Sequence, residues 1–152
     1  MSTRTLSHYI GGSFTGASDA LESTNPSDTN DVVARFPDGG AAEVDAAVSA
    51  AGAAQGAWAA ASPEVRADLL EKVAVALFAR SAEIGELLAR EEGKTRAEGV
   101  GETLRAARIF RYFGAEALRR HGFTLESTRP GLDVATYREA LGVIGLIAPW
   151  NF

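Results

Sequence analysis

The chain has 152 residues, of which 46% are hydrophobic and 23% are charged, and this is the length and composition of one ordinary soluble domain. Its net charge of -5 disfavours binding to nucleic acid and to anionic membranes. The sequence has no long apolar run and no signal peptide, so we expect a cytoplasmic protein. With no cysteine and only two histidines, the sequence excludes disulfides and a cysteine nucleophile of its own, and we predict no metal site.

The first forty residues are predicted to form short strands. Tyr9-Ile-Gly-Gly-Ser-Phe14 places apolar residues on either side of a Gly-Gly pair, which supplies the positive φ that a tight hairpin turn needs. Residues 22–26 and 31–36 are predicted to be two further strands, and the polar residues 27–30 form the turn between them.

Residues 41–120 have the spacing of four consecutive helices. The first covers about 41–60, and the second begins at Ser62-Pro63, a serine N-cap followed by proline at the first helical position. The third covers 81–92 and ends at Gly93, and Thr95-Arg-Ala-Glu98 is a capping box that opens a fourth helix to about residue 120.

Each helix has an apolar face that we expect to be buried. The faces comprise Val44, Ala47, Val48, Ala51, Ala54 and Trp58 in the first helix, Leu69, Leu70, Val73, Ala76 and Leu77 in the second, Ile84, Leu87 and Leu88 in the third, and Leu104, Ala107, Phe110, Phe113 and Ala117 in the fourth.

Other residues of the fourth helix lie off this apolar face. Arg105, Arg108 and Arg111 are expected on a solvated face or at a contact between subunits. Gly99 and Gly101 should each cost roughly 1 kcal/mol relative to alanine, and close packing against a neighbour would explain them.

The last thirty residues return to a strand pattern. Residues 123–128 and 133–138 alternate around a turn at 129–132, and we expect this hairpin to pair with a further strand or another subunit, because an isolated ribbon is marginal in water. Residues 143–147 form an apolar, β-branched run that is typical of a strand buried on both faces of a parallel sheet. Pro149 ends this strand, so Trp150 and Asn151 would lie at the carboxyl edge, where such sheets bind ligands. A strand of this kind needs parallel neighbours, so we expect the sequence to be incomplete.

These motifs resemble the aldehyde dehydrogenase superfamily over nearly the whole chain. The resemblance is carried by Tyr9-Ile-Gly-Gly-Ser-Phe14, by Thr24-Asn-Pro26, by Arg90-Glu-Glu-Gly-Lys94 with Ala97-Glu98, and above all by residues 137–152, which end in Pro149-Trp-Asn-Phe152. Residues 30–33, Gly93-Lys-Thr95 and residues 108–112 are most similar to members that act on α-ketoglutarate semialdehyde.

The resemblance implies an α/β fold in three parts. Residues 1–121 would be the N-terminal strands and helices, residues 122–142 a β-hairpin arm for oligomerisation, and residues 143–152 the first strand and turn of a Rossmann-like cofactor domain. It also implies a homodimer or homotetramer that oxidises an aldehyde with NAD⁺ or NADP⁺ through a cysteine thiohemiacetal.

The resemblance assigns a role to the closing turn. Asn151 would be the side-chain donor of the oxyanion hole, and Ile147, Ala148, Pro149 and Trp150 would line the cofactor cleft together with Asn151. Without the resemblance, Asn151 would be interpreted as a turn asparagine and Trp150 as a packing residue.

The family's nucleophilic cysteine, general-base glutamate and phosphate-binding glycines would all follow residue 152, so we expect this chain alone to be inactive. The alternative is a non-catalytic, stand-alone helical module derived from that family. A cooperative melt of the isolated chain, or a stop codon directly after residue 152, would favour the alternative.

Overall fold

A computed structural model describes residues 3–16, 21–119 and 122–148 of the chain, and in these ranges it forms seven short strands and four helices. In chain order they are β1 (Arg4–Thr5), β2 (His8–Ile10), β3 (Ser13–Thr15), β4 (Leu21–Thr24), β5 (Val32–Phe36), α1 (Ala41–Ala60), α2 (Pro63–Ala79), α3 (Ser81–Glu92), α4 (Arg96–Glu116), β6 (Gly122–Glu126) and β7 (Asp133–Tyr137). This order confirms the predicted α/β class.

The N-terminal strands form two small sheets. β2 and β3 are an antiparallel hairpin whose turn residues Gly11 and Gly12 have φ of 61° and 83°, as the Gly-Gly pair predicts. In the other sheet β5 is central, with β1 parallel on one side and β4 antiparallel on the other. Val33 and Ala34 of β5 are buried, whereas β1 was not predicted because two residues are too few to show an alternating pattern.

The predicted helix caps at Ser62, Gly93 and Thr95 are confirmed by their contacts and backbone angles. The Ser62 hydroxyl accepts from the Val65 N–H at 3.3 Å, Gly93 ends α3 with φ of 75°, and the Thr95 hydroxyl accepts from the Glu98 N–H at 3.3 Å. The Glu98 carboxylate in turn accepts from the Thr95 N–H at 2.9 Å, which completes the capping box. α4 ends at Glu116, a few residues before the predicted end, and residues 117–119 form a turn.

α4 packs on α2 and α3 through small residues. Its buried positions are Gly99, Thr103, Ala107 and Gly114, and α3 contributes the buried Gly85. A Cβ built on Gly99 would lie 2.2 Å from the Gly85 carbonyl oxygen, and one built on Gly85 would lie 2.5 Å from the Val100 nitrogen. The two helices therefore cross with almost no space between their backbones, which explains Gly99 but not Gly101.

The predicted apolar face of α4 was mostly wrong. Ala107 is fully buried, but Leu104 and Ala117 are half-buried, and Phe110 and Phe113 are exposed, Phe113 by 56%. The reason is that backbones approach most closely where side chains are smallest, so the large rings lie beside the crossing rather than in it.

The apolar faces of the other helices are less buried than predicted. α1 has no buried residue, and Trp58, predicted to be core, is 45% exposed. In α2 the buried residues are Ala67 and Ala74, whereas Leu69 and Ala76 are exposed. The other residues of its predicted apolar face, Leu70, Val73 and Leu77, are half-buried, and so are Ile84, Leu87 and Leu88 of α3. For α1 the cause is that it meets only β2 among the described elements, so its apolar face has no layer against it.

The C-terminal part of the described chain is exposed. β6 and β7 form the predicted antiparallel hairpin, and all ten of their residues are exposed. Residues 143–147 were predicted to be a buried strand, but they form no strand here, and Ile147 is 95% exposed. A buried strand requires hydrogen-bonding neighbours, and none of the described strands pairs with this segment. Among the described residues, no helix has the length and apolar character of a membrane span.

Candidate functional site

The residues predicted to bind cofactor and stabilise an oxyanion are only partly described. Ile147 and Ala148 are exposed and lie outside any helix or strand, so the structure does not place them in a formed cleft. Pro149, Trp150 and Asn151 lie outside the described residues. The chemistry predicted for this turn therefore stays a prediction, and the described residues contain other clusters of charged and apolar groups.

A cluster of charged residues joins the end of α3 to the loop before β5. Arg90 donates from Nε to Asp31 Oδ2 at 2.9 Å and from Nη2 to Oδ1 at 2.6 Å, and Asn25 donates to Oδ2 at 3.1 Å. The two bonds from Arg90, and then the one from Asn25, lower the pKa of Asp31 to about 2. This paired carboxylate fixes the loop to the helix end rather than serving as an acid or base.

The lowered pKa of Asp31 predicts how stability depends on pH. Because the folded pKa lies below the ordinary value of 3.8, the Asp31–Arg90 contact stabilises the protein fully at neutral pH and is lost as pH falls from about 4 to 2. Asp31→Asn should therefore lower stability at pH 7 and flatten the pH dependence between pH 4 and 2. Urea unfolding of both proteins across this range measures the difference, and parallel curves would contradict the prediction.

Lys94, two residues after the end of α3, is the most enclosed charged residue of this region. Its side chain is 8% exposed and its ammonium contacts the carboxylates of Glu92, at 2.6 Å, and Glu102. Hydrogen bonds to Glu102 and then to Glu92 raise the pKa of Lys94, so it stays protonated at neutral pH and is a poor nucleophile. These contacts give the residues around Gly93 a structural role.

A depression of about 350 Å³ lies beside Lys94 on the outer side of α4. It is lined by Lys94, Glu98, Gly101, Glu102 and Arg105. Apart from the neighbouring residues and backbone of α4 itself, no atom lies within 4 Å of a Cβ built on Gly101. The missing side chain therefore leaves open space there. Gly101 was expected to allow close packing, and this was wrong, because the glycine lies away from the helix crossing. The sequence showed that Gly101 is a costly residue inside a helix, but it did not show why a glycine stands there.

The arginines Arg105, Arg108 and Arg111 of α4 have different environments. Arg111 donates to Glu71 from Nε at 3.1 Å and from Nη2 at 2.8 Å, and its guanidinium lies 4.9 Å from the centre of the Phe78 ring. It therefore links α4 to α2 within the chain and is not part of a wholly solvated row. Arg105 and Arg108 are exposed on the side of α4 that faces away from the buried Gly99, Thr103 and Ala107.

An open cleft of about 980 Å³ separates the end of α4 from the β6–β7 hairpin. Its aromatic residues are Tyr112 and Phe113, whose rings meet edge to face at 5.2 Å, together with Phe123 and Tyr137 of the hairpin. All four are exposed. Contiguous apolar surface of this kind is typical of a region that contacts further protein.

Comparison with known proteins gives a consistent result. A sequence profile described as "Aldehyde dehydrogenase family" matches residues 14–152. The chain is 37% identical over 150 residues to an alpha-ketoglutaric semialdehyde dehydrogenase of Bacillus subtilis, covering 97% of this chain and 31% of that protein. It is 37% identical over 147 residues to a 2-aminomuconic semialdehyde dehydrogenase of Danio rerio, covering 96% and 30%.

The fold has a similar counterpart among solved structures. The crystal structure of lactaldehyde dehydrogenase from Escherichia coli matches with a TM-score of 0.82 and 30% sequence identity, over 90% of this chain and 29% of that one. The chain thus spans about 30% of the length of these relatives.

Proposed function

Because the chain belongs to the aldehyde dehydrogenase family, we propose that it serves as the N-terminal part of an enzyme that oxidises an aldehyde to a carboxylic acid with NAD⁺ or NADP⁺. The observation that carries this proposal is the match of nearly the whole chain, in sequence and in fold, to one continuous part of such enzymes. The exposed apolar residues of α1, α4 and the hairpin support it, because further protein would cover them.

The residues of the closing segment would contribute binding and charge stabilisation. Ile147 is exposed and apolar, so it is suited to contact the flat face of a nicotinamide or adenine ring. The described part of this segment, residues 141–148, contains no cationic side chain that could bind the phosphates. Pro149 and Trp150 would complete this wall, and the Asn151 amide would donate to the oxygen that becomes negative when a thiol adds to the aldehyde. When bound, the dinucleotide supplies the acceptor for the hydride. The thiol and the base that activates water would come from residues beyond this chain.

Three further assignments belong to the same proposal. Residues 1–121 would pack on the cofactor domain, and residues 143–152 would enter its parallel sheet. The β6–β7 hairpin would pair with another subunit of a homodimer or homotetramer, which is supported by the exposure of all its residues. The composition supports a cytoplasmic location.

The substrate class is proposed to be aldehydes that carry a carboxylate. The relatives from Bacillus subtilis and Danio rerio are both named for semialdehydes of this kind. A substrate with a second charged end needs a cationic group at a fixed distance from the reacting carbonyl. An arginine is suited to that role because its guanidinium can form two parallel hydrogen bonds to a carboxylate.

The function is tested on the protein encoded by the complete reading frame that contains these residues. We expect purified protein to reduce NAD⁺ or NADP⁺ in the presence of an aldehyde, followed by the absorbance of the reduced nicotinamide, with formation of the matching acid. The control omits the aldehyde. If neither dinucleotide is reduced with any of a panel of short, aromatic and acidic aldehydes, the proposed function is wrong.

A further inference from the structure

We propose that Gln55 of α1 is a positioning residue for the closing segment, and that it acts through Gly142 to set where the Asn151 amide lies in the complete enzyme. This inference rests on the proposed function, in which residues 143–147 enter the cofactor sheet and Asn151 follows them. It adds a residue of a distant helix that fixes where this segment starts. Gln55 itself is assigned no contact with substrate or cofactor.

The first argument is the contact between α1 and Gly142. A Cβ built on Gly142 would lie 3.3 Å from Nε2 of Gln55 and 3.9 Å from its Cδ and Oε1. The amide of Gln55 therefore lies against the side of Gly142 from which a side chain would project. Gly142 is half-buried, whereas residues 128–141 and 143–148 are all exposed. Within residues 128–148, the chain is thus covered most at the point where it meets α1.

The second argument is the backbone of Gly142. Its φ is 107°, a value that residues with a side chain rarely adopt, and the chain bends at the next residue, Val143. A side chain at this position would be strained by φ and would also meet Gln55. The bend separates the β6–β7 hairpin and the residues after it from the run that is predicted to enter the sheet. Gly142 therefore sets the direction of residues 143–147, and Gln55 holds the bend in place.

The third argument is that α1 is a firm support for this contact. In the first half of the helix, the Cβ of Ala50 lies 3.7 Å from a Cβ built on Gly11 in the turn of the β2–β3 hairpin. After the last turn, Arg66 of α2 donates to the Ala61 carbonyl at 2.5 Å. Gln55 lies between these two contacts, on a regular helix, and a site that needs precise placement is best supported by such an element.

The fourth argument is the sensitivity of a strand to the point at which it begins. A strand advances about 3.3 Å per residue, and a shift of one residue turns every side chain to the opposite face. Asn151 comes later in the segment that leaves Gly142, so slippage at the bend would be passed on to its amide. A misplacement of about 1 Å can cost on the order of 100-fold in rate. A contact that fixes Gly142 would therefore support catalysis without touching the substrate.

The test is a double-mutant cycle in the complete enzyme. Gln55→Ala removes the group that lies against Gly142, and we expect kcat to fall about 10- to 100-fold with little change in KM for the aldehyde. In the Asn151→Ala background the donor is already lost, so Gln55→Ala should cause little further loss. Steady-state rates of the unchanged enzyme, both single variants and the double variant measure the coupling.

Two further variants separate positioning from loss of structure. Gln55→Met keeps the length of the side chain without its amide, so it should retain most of kcat, and a loss as large as that of Gln55→Ala would contradict a contact of close approach. Ser49→Ala changes another exposed polar residue of α1 and should alter neither kcat nor KM. Because these positions are exposed, all three variants should melt at the temperature of the unchanged enzyme.

Gly142→Ala tests the other side of the contact. The strain at a φ of 107° and the approach to Gln55 should lower kcat at least as much as Gln55→Ala does. If Gln55→Ala keeps full kcat, or lowers kcat by the same factor with and without the Asn151 amide, the inference is wrong and the proposed function stands. An unchanged enzyme that oxidises no aldehyde at all removes both.

Discussion

Replacing Asn151 with alanine in the complete enzyme is expected to lower kcat by on the order of 10²–10³, the usual loss for one oxyanion-hole donor. The physical reason is that the carbonyl oxygen of the substrate gains a full charge only after the thiolate adds. A neutral amide N–H stabilises that charge much more than it stabilises the uncharged carbonyl. The loss should therefore appear in kcat and in kcat/KM together, with little change in KM. Steady-state rates with a saturating dinucleotide measure it.

The control separates the oxyanion role from the packing role that a turn asparagine could have. The melting temperature should be the same in Asn151→Ala and in the unchanged enzyme, because the amide is expected to act on the reacting oxygen and not in packing. Asn151→Asp places a negative charge beside the developing oxyanion, so it should be at least as slow as the alanine variant. Full turnover by Asn151→Ala would show that the family resemblance misassigns this residue.

The local features of the fold could be predicted because they depend on few neighbouring residues. The Gly11–Gly12 turn requires positive φ, and the caps at Ser62 and Thr95 satisfy backbone N–H groups within their own first turns. None of these contacts needs a distant part of the chain. A single sequence therefore contains the information that sets them.

Burial could not be predicted as well, because it depends on what covers each face. Trp58 and Phe113 have helical spacings typical of a core, but the described elements place no layer over them. Residues 143–147 have the composition of an interior strand and lie exposed for the same reason. In each case the sequence pattern indicates that a residue is suited to burial. It does not indicate which part of the protein, or which other chain, covers that residue.

The candidate site likewise combines features that could be predicted from the sequence with features that could not. The resemblance named Asn151 and its neighbours, whereas the depression beside α4 arises from three elements of the fold: the enclosed Lys94, the side of α4 that faces outward, and the missing side chain at Gly101. Helical spacing predicts that Arg105 and Arg108 share a side with Gly101. Only the close crossing at Gly99 shows which side of α4 is left exposed.

That crossing also predicts the largest effect on stability. Gly99→Ala would place a Cβ 2.2 Å from the carbonyl oxygen of Gly85, which is backbone and cannot rotate away, so α3 and α4 must move apart. Overpacking of this kind costs about 1–3 kcal/mol, and we expect the upper end because Thr103 and Ala107 pack on the same interface. The gain of roughly 1 kcal/mol in helix propensity offsets only part of it.

Gly101→Ala is the matched control, since it makes the same change two residues away in the same helix, where a Cβ meets no atom within 4 Å. This variant should be stabilised by about 0.5–1 kcal/mol through propensity alone. Urea unfolding followed by circular dichroism should therefore give midpoints on opposite sides of that of the unchanged protein. Equal midpoints for the two variants would mean that α3 and α4 do not cross as closely as the Gly85–Gly99 contact requires.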